Sequence, residues 1–267
     1  MFSALFRNEK KGGSMTYRDA HDFLIRELRL IHNPVGFHFC FSQEELDGFI
    51  AEKKHVVPVQ PITLCQAELG ARMEGRTVLL EMGKLGCRNA KITYGIKEPD
   101  INSVKEHLKF CTSEDEAKRF LLSKPRLKQA PLAVILRPLF EQEDMPDLVH
   151  FCCDNVQAYH LLNDWMSVTN THPFHPNLCV NSAVCGGSAY CYMEQTANLS
   201  LACGGSYNSG KMERGEINVM IPGKDFLPMI HRMEERKQTS GGISLIKIGQ
   251  PFPDSDICKN CPLISFR

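Results

Sequence analysis

Residues 182–205 read SAVCGGSAYCYMEQTANLSLACGG. Residues 182–194 are predicted to form a helix closing on Met193-Glu194, and 198–202 a short strand that runs into Cys203-Gly204-Gly205. An earlier stretch has the same layout. Cys65 stands eight residues before Met73-Glu74, as Cys185 stands eight before Met193-Glu194, and a strand at 77–81 then leads to Gly86-Cys87. Residues 34–39 and 131–136 are apolar runs suited to be the matching first strands. The repeat predicts a chain of two related halves, although the halves differ in length between first strand and first cysteine.

Phe23, Leu24, Leu28 and Ile31 have helical spacing over 17–31, and Ser42-Gln43-Glu44-Glu45 has the pattern of a capping box opening a helix to about 54. Residues 64–74 read as a helix and 83–95 as a glycine-punctuated loop. Ser113-Glu114-Asp115-Glu116 opens a helix to about 123. Apolar strands are expected at 132–136, 148–152 and 216–221, with helices at 155–166 and 224–236, and a loop broken by two prolines at 171–181. Buried-type strands alternating with helices imply an α/β fold, with α+β as the other layered option. The expected organisation is an N-terminal segment and helix at 1–33, a first half at 34–125, a second at 126–238, and a linker and Cys-x-x-Cys tail at 239–267.

At 267 residues the chain can bury roughly 75% of its unfolded surface without staples. Lys plus Arg equals Asp plus Glu at 31 each, so no strong field draws in nucleic acid or an anionic membrane. The N-terminus lacks a signal-peptide core and no apolar run reaches about 18 residues, which predicts a cytoplasmic protein. Twelve cysteines in such a setting point to reduced thiols or metal ligands rather than a disulfide framework.

The repeat sorts those cysteines. Each half places one at a helix N-terminus, where the dipole favours thiolate, and one in a glycine-bearing loop able to turn amides toward an anion. A two-fold relation between the halves would bring Cys65, Cys87, Cys185 and Cys203 to one centre. Four thiolates suit zinc or an iron–sulfur cluster, and spacing does not choose between them. Cys191 falls on another part of its helix and reads as core, as do Cys40, Cys111, Cys152 and Cys153 in or beside apolar segments. Cys258 and Cys261 form a short-range pair read as a mobile tail or redox dithiol, with a second metal site as the weaker option. His172 and His175, in the stiff loop His172-Pro173-Phe174-His175-Pro176, are weaker ligand candidates. The chain has no c-type haem signature, dinucleotide fingerprint, nucleophile elbow, H-E-x-x-H or Walker loop.

Residues 65–87 (CQAELGARMEGRTVLLEMGKLGC), 185–205 (CGGSAYCYMEQTANLSLACGG) and 215–226 (GEINVMIPGKDF) resemble the family called domain of unknown function 169, found largely in anaerobic bacteria and archaea. The resemblance spans about 34–231, and its most specific elements are the four cysteines and Val219-Met220-Ile221-Pro222-Gly223. It implies a redox-active iron–sulfur cofactor of the 4Fe-4S type at Cys65, Cys87, Cys185 and Cys203, with an adjacent haem as an open alternative. Two positions depart from the family pattern: the family's Arg a few residues after the last cysteine is lacking, since Gly204-Gly205-Ser206-Tyr207 follow Cys203, and Arg88-Asn89 stand where a Gly is usual. Both bear on substrate contacts rather than on the ligands. The expected function is electron transfer or reduction at the cluster, as an oxidoreductase with an electron donor or acceptor as partner. A non-enzymatic redox or metal sensor and a zinc-stapled structural module are the alternatives, and self-association into a homo-oligomer is left open.

Overall fold

A computed structural model describes residues 15–178, 181–208 and 211–239; Cys258 and Cys261 lie outside the described residues. Capping side chains set where the first helices begin. Thr16 caps α1 (Tyr17–Leu28), Ser42 caps α2 (Gln43–Ala51) and Thr63 caps α3 (Leu64–Glu74), each accepting from the residue three on while that side chain bonds back. Each such cap stabilises its helix by about 1 kcal/mol. Between them runs β1 (Val35–Cys40), and β2 (Val78–Glu81) follows α3.

The segment at 83–95 differs from the expected loop: Cys87 stands at the N-cap position of α4 (Arg88–Thr93), without a side-chain capping bond, and the helix ends at Tyr94 ahead of Gly95 at φ 72°. Asp100 opens α5 (Ile101–His107), a helix without a strong apolar stripe and so invisible to periodicity. α6 (Glu114–Leu122), β3 (Ala133–Pro138), β4 (Leu148–Cys153), α7 (Asn155–Thr169) and α8 (Ala183–Glu194) follow. β5 (Asn198–Ser200), α9 (Gly204–Tyr207), β6 (Ile217–Pro222) and α10 (Gly223–Thr239) complete the order. α1 stops earlier than its spacing suggested, because Arg29 turns into the left-handed region at φ 52°, and Ile31 is left exposed.

All six strands join one sheet in the order β2-β3-β1-β4-β6-β5, and every neighbouring pair is antiparallel. Helices alternate with strands along the chain, so the fold is α/β in succession with an antiparallel sheet. The order is palindromic. β1 meets β4 at the centre (Val35 opposite His150, Phe37 opposite Leu148), β3 and β6 flank them, and β2 and β5 form the edges.

The registers make the relation residue-specific. Leu136 pairs Val78 as Met220 pairs Asn198, and 120 positions separate Val78 from Asn198, Cys65 from Cys185 and Glu74 from Glu194. Pro138 and Pro222 end equivalent strands, and Leu139 N–H donates to the Pro34 carbonyl as Gly223 N–H donates to that of Asp147. The chain is two related halves with a pseudo-two-fold axis between β1 and β4. The strand that opens the second copy is β4, where spacing had matched 131–136; that run is β3, which closes the first copy and corresponds to β6.

Both faces of the sheet are covered. Val35, Phe37 and Phe39 of β1, Val134 and Leu136 of β3 and Met220 of β6 pack under α3, α4 and α8. On the other face Val149, Phe151, Val219 and Ile221 pack against α1, α7 and α10, and Cys40, Leu79 and Ile135 against Leu46 of α2. Two-sided burial is why the strands read as unbroken apolar runs rather than alternating ones. Among the described residues no helix is long and apolar enough to cross a membrane.

Asp147 sits beside the axis with its Oδ2 accepting the Phe39 N–H at 2.7 Å. Burial pushes its carboxyl up to about 6; the Phe39 N–H opposes this and Glu45 adds to it. A carboxyl whose folded pKa exceeds the unfolded value of about 3.9 binds its proton more tightly when folded, so its contribution to stability falls as pH rises from about 4 to about 6. Asp147→Asn is therefore expected to raise the urea midpoint at pH 8, by the equivalent of about 1–2 kcal/mol, and to change it little at pH 4. An equal effect at both pH values would refute the assignment.

Candidate functional site

α3 and α8 lie side by side on one face of the sheet, each presenting a cysteine in its first turn, Cys65 and Cys185. The chain leaving each edge strand then supplies the N-cap of a short helix, Cys87 for α4 and Cys203 for α9. All four line one cavity of about 580 Å³, together with Asn89, His107, Lys109, Asn181 and Lys211. The structure thus brings together the four cysteines that the repeat singled out, two from each copy. Cys191 is fully buried in the core behind α8, and Cys40, Cys152 and Cys153 are buried too, with Cys111 half-buried. His172 and His175 are exposed and are not among the residues lining the cavity.

The two glycine pairs have other uses than expected. Gly187 lies inside α8, where a Cβ would come within 2.7 Å of Met220 Cε and 3.0 Å of Ser200 Oγ, so it lets the helix approach the sheet closely. Gly204 and Gly205 form the first turn of α9 and neither has a positive φ.

The thiols are not electrostatically equal. Cys203 is pulled down to about 5, first by a hydrogen bond from Cys65, against the cost of burial, and further by the Ser206 hydroxyl and the Ser206 and Ala183 N–H groups. The Ser206 N–H approaches its sulfur at 3.4 Å. Cys203 is therefore a thiolate at neutral pH. Cys65, the donor to it, is raised well above the ordinary thiol value by that bond and by burial. Cys185 is pushed up to about 12 by burial and by the neighbouring Cys87 and Cys203. A single thiolate with its neighbours Cys65 and Cys185 held protonated is what a low dielectric favours.

Behind the thiols a buried link crosses the axis. Ser188 Oγ donates to the Cys185 carbonyl at 3.1 Å, so Tyr94 is the donor in the 2.8 Å contact between their hydroxyls, tying α4 to α8. His107 donates from Nδ1 to the Ser103 carbonyl, and its Nε2 accepts from Lys124 Nζ at 2.7 Å. Burial, with Lys124 beside it, pulls His107 down, which keeps the ring neutral. Two cavity-lining amides carry buried atoms without a hydrogen-bond partner, Asn89 Oδ1 and Asn181 Nδ2. Four soft sulfur donors with unpartnered amide atoms beside them suit a soft metal centre, zinc or cluster alike, better than an apolar ligand.

Sequence reasoning missed a second grouping. Among the described residues, the three-ligand set whose His, Cys or carboxylate atoms all lie within 4.8 Å of one another is His32, Cys152 and Glu216. The four cavity cysteines are more widely spread than that. Cys152 read as core, and the other two lie outside any motif; nothing in the spacing of 32, 152 and 216 could have linked them.

Fold and site define a class: an antiparallel-sheet protein of two pseudo-symmetric halves with a thiol-lined cavity at their junction. Residues 24–232 match the model of the DUF169 family, described as uncharacterised ArCR, and the chain belongs to that family. It is also similar to the uncharacterised protein MJ0308 of Methanocaldococcus jannaschii, 22% identical over 226 residues that span 80% of this chain and 92% of that protein. No solved structure matches the chain.

Proposed function

We propose that the protein is an iron–sulfur redox protein in which Cys65, Cys87, Cys185 and Cys203 hold a 4Fe-4S-type cluster that exchanges electrons with a partner. The observation that carries this reading is the convergence of four thiols, two from each copy, on one cavity. Four thiolates suit a cluster and a single zinc ion alike, and metal analysis separates the two. The helix dipoles of α3 and α8 favour negative charge where Cys65 and Cys185 stand.

When bound, such a cluster supplies one-electron chemistry. The chain's part is to hold and tune it. Cys203 enters as thiolate, whereas Cys65 and Cys185 must each release a proton on ligation, so assembly is favoured by rising pH. The Tyr94–Ser188 link keeps Cys87 and Cys185 in fixed relation while the group is loaded. A second reading, a non-enzymatic redox sensor, draws on the same Cys203: a low-pKa thiolate beside another thiol is the setting in which redox-sensing cysteines occur.

Anaerobic purification followed by iron and sulfide analysis and an electron paramagnetic resonance spectrum tests the proposal. The expected result is about four iron and four sulfide per chain with a brown chromophore. A colourless chain holding one zinc at these cysteines would overturn it.

A further inference from the structure

His32 precedes β1, Cys152 points from β4 toward the face that carries α3, and Glu216 precedes β6, so three separate segments meet at one end of the central strands. His32 Nε2 and Glu216 Oε1 are 2.7 Å apart, and Cys152 is hydrogen-bonded to the same carboxylate. Glu216 is held in place from the other side, its Oε2 accepting the Glu213 N–H at 2.7 Å. Cys152 is buried, and the other two side chains are about one-tenth exposed, leaving a narrow approach from solvent.

The pseudo-symmetry shows that the fold does not require polar residues here. Counting outward from the paired strands, the counterparts of His32, Cys152 and Glu216 in the other copy are Met145, Phe39 and Leu132. All three are apolar, and Phe39 packs on Tyr192, which corresponds to Arg72. One copy fills the position with a hydrophobic contact, and the other with an imidazole, a thiol and a carboxylate. The neighbouring guanidinium of Arg72 is offset by Glu68, with which it forms a buried ion pair at 2.8 Å.

We propose that His32, Cys152 and Glu216 form a metal site, separate from the four-cysteine cavity, for a divalent ion of the zinc type. Nitrogen, sulfur and oxygen donors at about 2.0–2.3 Å suit that ion, and three protein ligands leave a fourth position for water or a small ligand. A thiolate and a carboxylate neutralise the ion's two charges. Binding opens the His32–Glu216 hydrogen bond and releases the Cys152 thiol proton to solvent.

Cobalt(II), which reports through d–d and sulfur-to-metal bands where zinc is silent, tests this on the full chain. The parent is expected to bind one equivalent more per chain than His32→Gln, Cys152→Ser or Glu216→Gln. The sulfur-to-metal band owed to this site should vanish in Cys152→Ser, and in the other two it should be lost together with the equivalent. Zinc should raise the melting temperature of the parent and not of Glu216→Gln, whose metal-free melting temperature, measured alongside, shows that it folds. Cys203→Ser should keep the extra equivalent, which separates this site from the cavity and leaves its test independent of the iron–sulfur reading. Equal stoichiometry in the parent and all three variants, or loss of the extra equivalent in Cys203→Ser, would overturn the proposal.

Discussion

Cys203→Ser is expected to yield a colourless chain that retains almost none of the iron found in the parent, while Cys191→Ser keeps its full complement. Cys203 is held below the ordinary thiol range, at about 5, and it stands against both Cys65 and the first turn of α8. Serine offers a hydroxyl that does not ionise at neutral pH, so the site loses its pre-formed anion and a soft ligand together. Cys191 is on the same helix as Cys185 but is wholly inside the core, where serine removes no ligand. Because ligands come from both copies, loss of the cluster should also lower the melting temperature of Cys203→Ser, whereas apo forms of parent and variant should melt alike. Iron analysis of the two purified variants decides the matter: equal loss in both would show that the four ligands are wrongly chosen.

Gly223→Ala should destabilise the protein by about 3 kcal/mol or more, read as a fall in the urea midpoint at unchanged slope. A Cβ there would overlap the Pro146 carbonyl oxygen and come within 2.8 Å of its carbon. Both are backbone atoms, so no side chain can swing aside. The counterpart in the first copy is Leu139, which carries a side chain at the same junction. The difference follows from what comes next: Leu139 opens a single 3-10 turn, whereas Gly223 opens α10 directly from the last residue of β6. Leu139→Ala removes buried methyl groups instead and should cost about 2–5 kcal/mol by a cavity. A neutral Gly223→Ala would mean that the chain at Pro146 yields more easily than its packing between β1 and β6 suggests.

The strands of the described residues were legible, β5 as a short strand and the others as apolar runs, and the principal helices were legible from capping side chains and spacing. Local signals of this kind need only a few neighbouring residues. What misled was also local: 83–95 looked like a loop because its glycines are dense, yet Cys87 to Tyr94 closes a helical turn, and α5 carries too short an apolar stripe to be seen. Strand direction was not written in the composition, since burial on both faces gives the same apolar run to a parallel or an antiparallel strand. The match of the Cys65 and Cys185 segments was legible because a repeated layout survives in spacing even where identity has faded.

By itself the sequence determined the repeat, the positions of its four cysteines and the character of each strand, because these depend on spacing along the chain. Only the tertiary structure decided that β4, not β3, opens the second copy, because hydrogen-bond register alone reveals which strands are equivalent. It also decided that Cys203 is the ionised thiol, through Cys65 and Ser206 contacts that depend on two helices meeting. The meeting of His32, Cys152 and Glu216 belongs to the same category: residues more than sixty positions apart become neighbours only when antiparallel strands bring their ends to one edge of the sheet.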